Sequence, residues 1–91
     1  MYEIYSRQLK KAKELGVQIT PSKRKNKKLS VYAPSGIKLC DIGDIRYMDY
    51  CQYKELYGKA YAEERKKAYW SRHKKDTRSK CGFYSARILW T

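Results

Sequence analysis

Apolar positions along the chain follow two rhythms, one helical and one extended. Tyr5, Leu9 and Ala12, with Tyr2 and Leu15 beside them, form one stripe at helical spacing, and Arg7, Lys10, Lys11 and Glu14 face away. Tyr2 to Leu15 therefore predicts an amphipathic helix, ended by Gly16, a residue that readily takes the left-handed backbone of a helix terminus. Val17 and Ile19 begin an alternation that Thr20-Pro21 is expected to break. Leu29 to Ala33 and Ile37 to Ile42 alternate around Pro34-Ser35-Gly36 and predict a β-hairpin. Leu29, Val31 and Ala33 share one face, with Ile37 and Leu39 placed to join them. Two strands alone are marginal in water, so helices must cover them. Gly43-Asp44 turns the chain, and Tyr47 to Tyr57 predicts a short helix ending at Gly58.

Tyr61 to Lys75 gives the clearest helical signal. At 100° per residue, Tyr61, Arg65, Ala68, Tyr69 and Arg72 fall on one face, and Lys66, Lys67, Trp70 and Lys74 on the other. Glu63 and Glu64 are expected in its first turn, with Glu63 one turn before Lys67, and Arg72-His73-Lys74-Lys75 in its last. Arginines among tyrosines suit ring stacking, whereas lysines, compact and strongly hydrated, suit solvent. DTRSKCG, residues 76–82, reads as a basic loop, and Phe83 to Trp90 as a closing helix or strand whose aromatic and aliphatic residues must be buried.

Composition then narrows the picture. The 91 residues form one domain, with segments 1–16, 17–58 and 59–91 as N-terminal helix, sheet-bearing middle and basic helix with aromatic end. Leu, Ile, Val and Phe make up only fifteen residues, so ten tyrosines and two tryptophans must supply much of the buried area. Polar ring tips favour interfaces, and such a lean core suggests order that depends on a docked partner. A net charge of +13 points to an acidic partner. Thirteen of the 22 Lys and Arg lie in residues 23–28 and 65–80. No apolar run is long enough to span a bilayer, and no secretory signal is present.

Candidate chemistry follows from those stretches. Lys23, Arg24, Lys25, Lys27 and Lys28, with Lys66, Lys67, Lys74 and Lys75, are the expected contacts to an anionic partner. Arg65, Tyr69, Trp70, Arg72, Tyr84 and Trp90 are expected to shape the fold or an interface, with Trp70 placed to stack on unpaired bases. Three cysteines without paired spacing argue against a disulfide framework and for a reducing compartment. Cys40, Cys51, His73 and Cys81 form a Cys₃His inventory, but no C-x-x-C spacing supports zinc, and the reading preferred is that of small buried hydrophobes. Asp41, Asp44 and Asp49 read as turn and cap residues rather than a nuclease-like cluster. No cofactor and no catalytic set are expected.

The hairpin tip Pro34-Ser35-Gly36 is followed by Gly43 and by Tyr47-Met48-Asp49-Tyr50. Arg65, Tyr69 and Arg72-His73 come next, and then Gly82-Phe83-Tyr84-Ser85 leading to Ile88-Leu89-Trp90. Over about residues 29–90 this order resembles small basic proteins of uncharacterised function from nucleocytoplasmic large DNA viruses, including algal, iridovirus-like and mimivirus-like members. The first helix lies outside the likeness. The resemblance implies a viral setting, with the protein in the virion or, during assembly, in host cytoplasm or nucleus. The resulting expectation is an α+β domain, a β-hairpin under two or three helices. It would serve as a non-enzymatic minor capsid or internal virion component docking between larger capsid proteins, with sequence-independent DNA binding as the alternative.

Overall fold

The computed structural model describes residues 2–75 and 79–91. Its elements are α1 (Ser6–Glu14), β1 (Gln18–Pro21), β2 (Lys27–Tyr32), β3 (Lys38–Asp44), α2 (Tyr50–Tyr57), α3 (Lys59–Arg72) and α4 (Lys80–Leu89). The architecture is α+β: a three-stranded antiparallel sheet of order β1-β2-β3, with four helices.

The hairpin forms where alternation and turn chemistry place it. Ala33 donates to Ile37 and Gly36 to Ala33 across the tip, and Gly36 takes φ +91°, which a side chain would oppose. Leu29 and Val31 are fully buried, and their partners across the strand pair are Ile42 and Cys40. Ile37 and Leu39 were the expected partners. A register irregularity at Val31/Tyr32 leaves Ile37 67% exposed and brings Cys40 and Ile42 inward, while Leu39, half-buried, still packs against the core of Leu29 and Val31. Pro21 does not break β1. It pairs opposite Leu29 at the end of an edge strand, where its missing N–H costs no central ladder bond.

α1 is shorter than the periodic stretch and is rotated from the expected stripe. The Tyr5 amide donates to Gln8 Oε1, which draws Gln8 inward, so Gln8 and Ala12 are buried and Leu9 is exposed. Gln8 Nε2 then donates to the Tyr2 hydroxyl, and that hydroxyl donates to Asp49. α2 starts at the Asp49 cap. Asp49 Oδ1 accepts from the Gln52 amide, and Gln52 Oε1 accepts from the Asp49 amide in return. α3 starts at Lys59, so Glu63 and Glu64 lie in its second turn. Glu63 makes no ion pair with Lys67 among the described residues.

Residues 80–82 belong to a helix, not a loop: the Ser79 hydroxyl accepts from the Gly82 amide and caps α4. The remainder of that expected loop, residues 76–78, lies outside the described residues. α4 packs on β3 and α1, and Ile88 and Leu89 join Ala12, Ile19, Leu29, Val31 and Ile42 in the main core. Tyr84 and Trp90 pack against that same core, so the terminal aromatics close the domain itself. A second cluster of Tyr50, Cys51 and Ala62 joins α2 to α3.

The cysteines correct the sequence reading. Cys40 and Cys81 form a disulfide that ties β3 to the start of α4, with Cα atoms 5.6 Å apart. Forty-one positions separate them, a distance at which spacing carries no signature. The argument from cysteine count to a reducing compartment therefore does not stand. Two of the four residues of the zinc inventory are thereby bonded to each other, and among the described residues no three His, Cys, Asp or Glu side chains group to hold a metal. Cys51 is buried and free, and burial, then nearby Asp49, pushes its thiol up to about 11. Among the described residues no helix is long and apolar enough to cross a membrane.

Candidate anion-binding cleft and basic surface

α3 offers its inner face to an open cleft of about 480 Å³ between the helices and the 43–49 segment. Arg65, Tyr69, Arg72 and His73 are spaced to share that face and all line the cleft. The Tyr69 ring stacks on Trp90 at 4.5 Å and 8°, and on His73 at 4.4 Å and 27°. Trp90 is fixed at both ends of its peptide. Its amide donates to Ala86, and its carbonyl accepts from Trp70 Nε1 at 2.9 Å. Trp70 thus bonds the end of α4 through Nε1 while lining an open surface groove with Lys66 and Lys67, and its ring meets the Arg87 guanidinium at 5.6 Å. Its indole N–H needs an acceptor when half-buried, and the carbonyl at the end of α4 supplies one.

Arg65 lies over the Tyr53 ring at 5.3 Å, as expected for arginine among tyrosines. Its Nε is shielded from solvent and meets no acceptor. The opposite wall carries Lys28, Asp44, Tyr47, Met48 and Asp49. The Lys28 ammonium is 3.1 Å from Asp49 and 2.8 Å from Gln52 Oε1, and the pair is almost entirely buried. Burial lowers the Lys28 pKa against the pull of Asp49. Asp44 is held by Arg46, whose hydrogen bonds bring its carboxyl down to about 2. Asp41 is elsewhere, accepting from Ser22, Ser30 and Lys38. The three aspartates are thus committed to separate partners.

The cationic stretches divide by exposure. Lys23, Arg24 and Lys25 project from a tight turn that Asn26 completes at φ +67°, closed by the Lys27 amide on Arg24. Lys27 is half-buried at the start of β2. Lys28, expected at an anionic partner, is 2% exposed and serves the interior instead, because its strand carries it against Asp49. Lys67, Lys74 and Lys75 are exposed, while Lys66 is half-buried with its ammonium 5.5 Å from the Tyr50 ring. Arg65, Tyr69, Arg72 and Trp90 are brought together at the cleft. Trp70 and Tyr84 pack elsewhere in the fold.

Sequence reasoning missed Tyr47, Met48, Tyr53 and Ser85 as cleft residues, since they come from three separate segments. It also missed a ladder of Tyr53, Tyr57 and Tyr61, with ring centroids 5.0 to 6.2 Å apart, whose outer members Tyr57 and Tyr61 are exposed beside Leu56. The Asp49-x-x-Gln52 spacing was a legible signal for the α2 start.

A family model described as a family of unknown function (DUF5754) matches residues 17–73, from the residue before β1 through the end of α3. No curated protein and no solved structure matches the chain.

Proposed function

We propose that the chain, which belongs to a family of unknown function (DUF5754), is a non-enzymatic structural protein of a large eukaryotic DNA virus particle. In this reading it is a minor capsid or internal component that docks between larger subunits and meets an anionic partner through its lysines and arginines. The observation that carries the reading is an imbalance of exposure. Asp41, Asp44, Asp49 and Glu55 are each held by a partner within the chain, whereas Lys23, Arg24, Lys25, Lys67 and Lys75 face solvent. Three aspartates are thus paired with cations within the fold, and those solvent-facing basic groups are left displayed on the surface. Tyr57, Tyr61 and Leu56 supply exposed ring and aliphatic area of the kind that interfaces use. The viral setting is supported by the sequence resemblance over residues 29–90.

Fractionating purified particles tests it. A structural component stays with shells emptied of their genome, in a fixed ratio to the major capsid protein. Departure with the genome favours the second reading, sequence-independent DNA binding, which the same exposed cations support. Absence from purified particles overturns both.

A further inference from the structure

We propose that the cleft lined by Arg65, Arg72 and Trp90 is a binding site for a phosphomonoester carrying an aromatic base, supplied by a free nucleoside monophosphate or by the 5′-phosphorylated end of a strand. The inference is separate from the particle reading, because the cleft and the exposed lysine stretches are different surfaces.

Three observations meet there. The first is charge. Of the ionised groups on the cleft wall, Lys28 and Asp49 neutralise each other, and Asp44 is neutralised by Arg46. Arg65 and Arg72 have no carboxylate within 4 Å among the described residues, so two guanidinium charges remain uncompensated. A phosphomonoester near pH 7 carries between about −1.5 and −2, which matches them. The guanidinium fork also suits phosphate oxygens better than an ammonium does. The second is the wall between and around those charges, built from ring faces and edges: Trp90, Tyr69, Tyr53 and the largely exposed Tyr47. Such a wall favours a flat base over an aliphatic tail. The third is preorganisation. Tyr69 is stacked on Trp90, Trp90 is pinned by Trp70 Nε1, and Arg65 is laid over Tyr53. These side chains are already ordered, so a ligand pays little conformational entropy to meet them. The volume, about 480 Å³, lies within the roughly 300–1,000 Å³ of small-ligand sites.

Calorimetry and tryptophan fluorescence with a purine nucleoside 5′-monophosphate test the proposal on the intact protein. Saturable one-to-one binding is expected, at least tenfold tighter than for the nucleoside or for inorganic phosphate alone. Arg65→Gln and Arg72→Gln should each weaken it at least tenfold. Arg72 is exposed, so its variant keeps the fold and guards against a folding artefact at Arg65. A charge-matched control, Lys10→Gln on the exposed face of α1, should change the affinity less than twofold. Competition by a 5′-phosphorylated but not a 5′-hydroxyl oligonucleotide identifies a strand end as the source, and binding of the mononucleotide alone identifies a free nucleotide. Equal affinity for nucleotide and inorganic phosphate, or equal loss in the control and the arginine variants, overturns it.

Discussion

Lys28 holds a charge where almost no water reaches it, and its ammonium has two acceptors, Asp49 and Gln52. Removing one member of a buried ion pair costs about 3–5 kcal/mol, because the other is stranded. Lys28→Met and Asp49→Asn should each lower unfolding stability by that order, Asn being chosen because it still caps a helix. The double variant should cost clearly less than the sum. Denaturant melts of the four proteins measure the coupling, and strict additivity would exclude the pairing. Asp41 makes a different statement. Its partial burial alone would raise its pKa, but donors from Lys38, Ser30 and Ser22 outweigh that and bring it down to about 2. A carboxyl depressed on folding stabilises above its unfolded pKa, near ~4, and loses that contribution as pH falls through about 2. The stability gap between wild type and Asp41→Asn should therefore be present at pH 7, on the order of 1–2 kcal/mol, and vanish below pH ~2. A gap that persists into strong acid argues against the shift. Neither site was visible in the sequence, where Lys28 is one cation of five in a run and hydrophobic pattern says nothing of ion pairing.

At the level of elements, the legible parts were those with local causes. The hairpin followed from Pro34-Ser35-Gly36 and alternation. α1 and α3 followed from helical spacing, and Gly16 and Gly58 marked two helix ends with positive φ. What stayed hidden depended on long-range partners. Ile37 was misjudged, and Cys40 and Ile42 were overlooked, because an irregularity in the pairing of β3 with β2 decides the inward face. The hydrogen bond of Trp70 was hidden because helical phase alone cannot see the Trp90 carbonyl that captures its Nε1. The start of α4 depends on a capping serine and on Cys81, whose partner lies 41 positions earlier. Chain-entropy reasoning credits a cross-link of that span with about 4 kcal/mol, and measured values usually run lower. Reduction, or Cys81→Ser, should lower stability by about 2–4 kcal/mol. Amide hydrogens of residues 80–89 should then exchange earlier than those of β2. Identical denaturant midpoints with and without reductant would remove the cross-link from the stability account.

Across the whole molecule, the scarcity of aliphatic residues led to an expectation of partner-dependent order, yet the described residues bury a continuous core of their own. That core is assembled from few aliphatics by enclosing them with Tyr2, Tyr84 and Trp90. If about six phosphates are contacted, retention on duplex DNA should fall roughly a thousand-fold between 50 and 200 mM salt. A flat response would leave the exposed cations without a polyanion role. Composition could not say that six of the fourteen cleft residues would come from residues 43–53, since nothing local ties Met48 or Tyr53 to Arg65.

The position of α4 along the chain has a further consequence for biosynthesis. Ile88 and Leu89 complete the core that holds Leu29 and Val31, and they leave the ribosome about sixty residues after those strand residues. Through that interval the core has its N-terminal part, Tyr2 and Ala12, but lacks the α4 cover, and both strands of the hairpin are already available to pair with a neighbouring nascent chain. The basic turn at residues 23–25 is synthesised beside β2, so like-charge repulsion between nascent copies guards the uncovered strand until its lid arrives.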